Sequence, residues 1–234
     1  MTKAAVVIPV YKPEPSASEI ASLKQCLQIL GNHPLILVTP SGLDTSAYHQ
    51  YAGRKLNTIS FEKRFFQSVT GYSELLLHRR FYTQFTAYNY ILIYQLDAWV
   101  FRDELHYWCK RNFDYIGAPW LKTPPGNPRK TFINLGHLLK NKVGNGGVSL
   151  RKVRSHLRWA WWVSLIFKFF PKNEDMLWSL FVPFKKPEVV EALHFAFELE
   201  PQKSYQMTDE SLPFACHGWE KYDPLFWQKF IQTP

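Results

Sequence analysis

YILIYQLDAWVF, residues 90–101, decides the fold. Its first seven positions are mostly aliphatic or aromatic, the composition of a strand buried on both faces of a sheet. The run ends in one acid, Asp97, and then turns aromatic. A strand that carries a lone carboxylate to its C-terminal end is how open α/β sheets place a metal ligand or a catalytic group in the crevice beyond the sheet. The plainer alternative is an Asp that caps the following turn.

The flanking sequence supplies the rest of such a sheet. Residues 4–10 form a short apolar run, closed by Pro13 and Pro15. Ser16 or Ser18 then caps a helix that reaches Leu30, and Gly31-Asn32 ends it. Residues 34–39 read as a second buried strand, so the opening is β-α-β with a right-handed crossover and a parallel sheet. Residues 57–61 read as a third strand, and residues 73–85 as a helix with Ser73 as N-cap. Beyond the central strand the pattern predicts a helix over 103–111, a strand over 115–118 and a proline-rich loop over 122–134. It then predicts a strand over 146–150 with a helix starting at Arg151, and a helix over 174–181. Short strands or ordered loops follow over 195–199 and 214–217, and a terminal helix over 223–230. No repeat or linker divides residues 1–234. The expectation is one α/β, Rossmann-like domain with a central, mostly parallel mixed sheet flanked by helices.

Composition narrows the function classes. Hydrophobic residues make up 46% of the 234, enough for a sizeable core, and aromatics 17%, with nine Trp. Trp and Tyr suit sites that are half apolar and half wet, so part of that surplus is expected to line a cleft or a surface. The net charge of +9 points to an anionic partner such as a diphosphate or a membrane surface. The chain shows no aromatic RNA-binding signature, zinc-finger spacing or helix-turn-helix pattern, which sets nucleic acid aside. Cys26, Cys109 and Cys216 are too scattered for a disulfide framework or a zinc cluster. No run approaches the ~18 apolar residues of a membrane span, and the N-terminus enters a strand pattern at once. The expectation is a reduced, cytoplasmic protein.

Several segments together resemble a known pattern. IPVYK, closing the first strand, is similar to the nucleotide-binding start of GT-A glycosyltransferases. YSELLLHRRFY, YILIYQLDAWVF, DELHYWC, FDYIGAPW, VGNGGVSLRKV, NEDMLWS, FAFELEP and PFACHGWEKYD follow in that order over residues 72–223. This series resembles DUF5672, a small bacterial family regarded as glycosyltransferase-like. The resemblance implies a GT-A-like fold and a nucleotide-sugar donor, with a UDP-sugar favoured.

It also implies roles for particular residues. Pro9, Val10, Tyr11 and Lys12 would receive the nucleotide, with uracil or another base stacked at Tyr11 and Lys12. GT-A enzymes carry Asp-x-Asp at the central strand end, where a carboxylate holds Mn²⁺ or Mg²⁺ against the donor diphosphate. The equivalent here is Gln95-Leu96-Asp97, with an amide in place of the first acid. Hard divalent cations can be held by one or two carboxylates plus phosphate oxygens, and His217 would complete the set; imidazole suits Mn²⁺ better than Mg²⁺. Asn145, Gly146 and Gly147 would lie beside the donor sugar, although Asn-Gly alone also marks an ordinary turn. Asp175 would be the base that takes the acceptor proton, with Glu174 orienting the acceptor; the helix dipole alone also accounts for an acid pair opening a helix. Arg79 would pair with the diphosphate, whereas Arg80 reads as part of a solvated face. Trp120 and Trp219 would contact the acceptor.

Residues 156–170, HLRWAWWVSLIFKFF, form either a buried helix or a segment resting in a membrane interface. In the second case Trp159, Trp161, Trp162, Phe167 and Phe169 would enter the bilayer, and Arg154, Arg158, Lys168 and Lys172 would approach the head groups. The whole reads as a glycosyltransferase acting with inversion on a glycan or lipid-linked acceptor, in bacterial surface polysaccharide synthesis at the inner face of the membrane. A nucleotidyltransferase is the first rival, but it would carry a Gly-rich, Lys-containing phosphate loop where this chain has YKPEPSAS. A non-catalytic sugar- or nucleotide-binding module is the second, kept open by Gln95.

Overall fold

The first strand, β1 (Ala4–Pro9), is apolar throughout because helices cover both faces of the sheet it joins. The computed structural model describes residues 3–122, 136–170 and 173–232. Along the chain, β1 leads to α1 (Ala17–Leu30), β2 (Leu35–Pro40), α2 (Ser46–Ala52) and β3 (Asn57–Phe61). A 3₁₀ turn (Lys63–Phe66) precedes α3 (Val69–Leu77), α4 (Arg79–Thr83), β4 (Tyr90–Tyr94), β5 (Ala98–Val100), α5 (Leu105–Lys110) and β6 (Tyr115–Gly117). The remainder holds α6 (Gly136–Leu139), β7 (Val148–Lys152), α7 (Val153–Phe169), α8 (Glu174–Phe181), α9 (Val189–Phe195), β8 (Ala196–Phe197), α10 (Pro201–Met207), β9 (Ala215–His217) and α11 (Pro224–Trp227).

Six strands form the main sheet in the order β3-β2-β1-β4-β7-β6. The first four are parallel, and β7 runs antiparallel between β4 and β6. Alternation along the strands builds two cores. Val6, Ile8, Leu92 and Tyr94 pack with Leu23 and Cys26 of α1 and Trp108 of α5. Val7, Ile91 and Ile93 pack on the other face with Leu76, Phe81, Val163 and Trp178, from α3, α4, α7 and α8. A second sheet, β5-β9-β8, stands beyond the end of β4. From β1 the chain goes to β2 on one side, while β4 pairs on the other. The C-terminal ends of β1 and β4 therefore flank a switch point, where open α/β sheets leave a crevice.

The main predicted elements are present, with four corrections. Residues 73–85 are not one helix. Ser68, not Ser73, caps α3, with its Oγ accepting from Gly71 N at 3.0 Å. The helix breaks at His78, whose backbone is extended (φ −77°, ψ 133°) and whose side chain caps α4. Ser73 lies buried inside α3. The β7 strand starts later than predicted and includes Arg151, whose Cα pairs with Ile91 and Tyr115 on its two sides. α7 thus begins at Val153 instead of Arg151. The central strand stops at Tyr94, and Ala98–Val100 crosses into the second sheet. The terminal helix is a single turn, Pro224–Trp227, capped by Asp223 accepting from Phe226 N at 3.2 Å. The predicted loop over 122–134, apart from Lys122, and Lys172 lie outside the described residues.

Candidate functional site

A cavity of about 460 Å³ opens at the switch point. Pro9, Val10, Tyr11 and Lys12 from the end of β1 form one wall, and Gln95, Leu96 and Asp97 from the end of β4 another. The seven were named from sequence, and the parallel pairing of β1 with β4 brings them together. Glu19, Tyr48 and the segment Phe66–Tyr72 close the rest. Tyr11 is 62% exposed and offers a ring face at the rim. Lys12 is engaged: its Nζ lies 2.6 Å from Glu19 Oε2, and its carbonyl accepts from Tyr48 Oη at 2.9 Å. Glu19 also completes the α1 capping box with Ser16, so this wall of the cavity is tied to a helix N-terminus.

Asp97 faces His217. The antiparallel β5–β9 pair sets Ala98 opposite His217, and His217 Nε2 lies 3.1 Å from Asp97 Oδ1. The other ring nitrogen, Nδ1, is 3.0 Å from Glu198 Oε1. Burial opposes a charge on this ring, but the carboxylates on either side outweigh it and push the imidazole pKa up to about 10. Burial tends to raise the Asp97 pKa, yet the hydrogen bond and charge of His217 leave it lowered. Glu198 Oε2 is buried without a hydrogen-bond partner, whereas Nε2 is paired with Asp97 Oδ1. An imidazole backed by a carboxylate on one nitrogen, with the other beside an acid, is the arrangement that fixes a histidine as a metal ligand. Among the described residues, no three His, Cys, Asp or Glu side chains are gathered into a metal cluster. Any cation here would take Asp97 and His217 and fill its other positions from the donor and water.

The VGNGG turn holds this cluster from below. Asn145 Oδ1 accepts from Gly147 N (2.8 Å) and Val148 N (3.3 Å), so its carbonyl is consumed in shaping the turn. Gly147 O in turn accepts from Gln95 N at 2.9 Å. A Cβ on Gly147 would overlap the His217 ring, and one on Gly146 would collide with the Glu174 carboxylate. The two glycines are thus required by close approach.

Glu174 and Asp175 open α8 and separate in role. Glu174 is buried and pairs with Arg151 Nη2 at 2.9 Å; Arg151 also bonds Ser149 Oγ and Tyr82 Oη. Asp175 accepts from Met176 N at 2.7 Å. Burial, then the negative charges of Glu174 and Glu198, raise its pKa well above the carboxylate range. Asp175 therefore feels the charge of Glu198, the carboxylate that also backs His217.

Two sequence candidates sit elsewhere. Arg79 donates to Leu157 O of α7 at 3.3 Å and takes no part in lining the cavity, because the break at His78 turns α4 away toward α7. Trp120 is 3% exposed and packs with Leu139 and Leu199, which leaves no free ring face for an acceptor. Trp219 is half-buried, edge-on to Trp99 at 5.9 Å. A second, polar cleft of about 540 Å³ is lined by Leu199, Glu200, Lys203, Lys221 and Tyr222; Lys221 N and Tyr222 N donate to Gly218 O, and Gly218 N donates to Asp97 O at 2.9 Å. Glu19, Tyr48, Tyr72 and Glu198 are among the contributors that carried no assignment from sequence. Glu198 had a signal, as one of two acids in the otherwise apolar run FAFELEP. Tyr72 had none, because only the packing of α3 brings it to the cavity.

Comparison with solved structures places the fold. An active-site mutant of LgtC matches with a TM-score of 0.61 at 14% identity, over 91% of this chain and 86% of that one. Mouse xyloside xylosyltransferase 1 matches at 0.57 and 15%, over 93% and 98%. Core-mannan synthase A from Aspergillus fumigatus, in an Mn/GDP form, matches at 0.57 and 12%, over 80% and 72%. At such identities the likeness is one of fold, the GT-A fold. No curated protein matches the sequence. The family model described as "Protein of unknown function (DUF5672)" matches residues 55–217, more than half of the chain, and the chain belongs to that family.

Proposed function

We propose that the protein transfers a sugar from a nucleoside-diphosphate donor, a UDP-sugar by preference, to a hydroxyl of a glycan or lipid-linked acceptor in bacterial surface polysaccharide synthesis. The observation that carries this reading is the cavity at the ends of β1 and β4, which leads directly to Asp97, His217 and Glu198. Its volume lies in the range that encloses a small ligand. The reading treats residues 1–234 as one domain acting at the inner face of the membrane.

The roles follow from position. Tyr11 stacks the base at the rim, and Lys12 and Gln95 line the path of the diphosphate. Asp97 Oδ1 and His217 Nε2 would hold a divalent cation, with Glu198 fixing the imidazole from behind. The mixed oxygen–nitrogen pair of Asp97 Oδ1 and His217 Nε2 fits Mn²⁺ better than Mg²⁺. Such a cation supplies charge neutralisation for the departing diphosphate. Asn145, Gly146 and Gly147 support the floor of the sugar site, and the cleft at Tyr222 and Lys221 receives the acceptor. Asp175, with its carboxyl pushed up, is the group placed to take the acceptor proton; direct displacement with its help inverts the anomeric centre. Its raised pKa makes it a stronger base once ionised.

A thermal-shift panel of nucleoside diphosphates, with and without Mn²⁺, tests the donor assignment. Binding to the native state raises the melting temperature by mass action, so one nucleotide is expected to do so selectively when Mn²⁺ is present. A panel in which no nucleoside diphosphate shifts the melting curve sinks the reading. Proton NMR of the product anomeric centre then decides the stereochemistry; a retained configuration removes Asp175 as the base of a single displacement.

A further inference from the structure

The α7 helix has two faces of different character. Val153, His156, Ala160, Val163 and Phe167 point inward and are buried. The outward stripe runs Arg154, Arg158, Trp161, Leu165 and Phe169 at steps of four, three, four and four residues, one face of a helix. Trp161 is 62% exposed and Phe169 74%. Trp162 and Phe170 are also exposed beside them. The helix contains no Asp or Glu, and Lys168 adds a third cation near its end.

We infer that this face of α7 rests on an anionic lipid bilayer, with Trp161, Leu165 and Phe169 in the interface and Arg154, Arg158 and Lys168 at the head groups. Leaving such large apolar groups contiguous in water is unfavourable, and an exposed patch of this kind marks an interaction surface. Aromatic residues interleaved with cations on a helix that is not long and apolar enough to span match an interface-bound segment. A second copy of the chain is a poorer occupant. A two-fold interface places the same patch on both sides, which would set three cations against three cations.

The position of α7 gives the contact a direction. Val153 N donates to Asn89 O at 2.9 Å, so the helix starts beside the beginning of β4. It is followed by α8, whose Glu174 lies against Gly146 at the far end of β4. α7 therefore runs from the side of the sheet where β4 begins toward α8, which contacts the Gly146 turn.

The experiment uses the full chain with phosphatidylglycerol-containing and pure phosphatidylcholine vesicles across a salt series. Co-sedimentation is expected with anionic vesicles at low salt, and tryptophan fluorescence is expected to be quenched by brominated acyl chains. Arg154→Gln, Arg158→Gln and Lys168→Gln are each expected to weaken partition about fivefold, the equivalent of about 1 kcal/mol per basic residue. The double variant Trp161→Ser/Phe169→Ser is expected to weaken it at least tenfold while keeping the nucleotide-induced melting shift. Protein that stays in the supernatant with anionic vesicles overturns the inference. So does binding that survives the double substitution, or a dimer that the double substitution dissolves in the absence of vesicle binding. The donor assignment is read by melting shifts and this one by partition, so either can fail alone.

Discussion

Asp97 and His217 meet because Ala98 and His217 are paired residues of two short antiparallel strands. That pairing, more than either residue alone, makes a strand-end acid half of the proposed ligand pair. Asp97→Asn is expected to keep the fold, since Asp97 is about half exposed at its side chain, and to remove the negative charge from the pair. Calorimetry of nucleoside diphosphate in Mn²⁺ is expected to show at least a tenfold loss of affinity; unchanged affinity means Asp97 holds no cation. Asp175→Asn tests a different step. Loss of a general base lowers turnover by roughly 10²–10⁴-fold, with donor affinity retained because the base acts on the acceptor. The carboxyl is raised by burial, Glu174 and Glu198, so it must shed a proton before it can accept one. Wild-type kcat is therefore expected to climb with pH, and the climb to vanish in the variant.

At the scale of elements, the VGNGG turn, α8 and β9 act as one unit. The turn takes its shape from Asn145 Oδ1, its close approach to His217 from Gly147, and its contact with α8 from Gly146. Beneath it the Arg151–Glu174 pair ties β7 to α8 in a buried setting. A pair of this kind stabilises little by itself, but breaking it strands a charge in the core. Gly147→Ala places a methyl group where the His217 ring sits. Overpacking of this sort costs about 1–3 kcal/mol, and the ring must also leave its position between Asp97 and Glu198. The expected result is a lower urea midpoint together with lost Mn²⁺-dependent nucleotide binding. A variant with normal binding shows that the turn does not fix the histidine.

The whole molecule carries a pH dependence through His156, which joins α7, α8 and the sheet. Its ring is buried against Tyr82, Tyr115, Trp178 and Phe184. Nδ1 donates to Lys152 O at 3.0 Å, and Nε2 has no partner. Burial, and then the charge of Arg151, hold its pKa well below the ordinary value of 6.5. The unfolded chain takes up a proton below that value and the folded chain does not, so stability is full above about pH 6.5 and falls as pH drops. The slope is about 1.4 kcal/mol per pH unit for one such group. Asp175 works in the opposite sense, since its raised carboxyl is protonated in the fold while the unfolded chain is ionised. Comparison of wild type with His156→Phe isolates the histidine. The variant's urea midpoint is expected to fall less steeply between about pH 6.5 and about pH 5; equal slopes mean that His156 is not held neutral.

Residues 90–101 and 4–10 identified the sheet by themselves, because a parallel strand covered on both faces must be apolar at successive positions, and that pattern is local. The acid at the end of β4, the Gly-rich turn and the acid pair opening α8 were legible for the same reason: each is a short departure from a regular pattern. The tertiary structure decided what those residues face. Glu174 and Asp175 are neighbours in sequence, yet one is neutralised by Arg151 and the other is placed among carboxylates. Glu198 joins His217 across nineteen positions of chain, counted as a sequence separation, and Arg79 leaves the site because a single extended residue, His78, redirects its helix. Periodicity and capping depend on residues within a few positions of one another, whereas charge, burial and close approach depend on partners the chain brings in from far away.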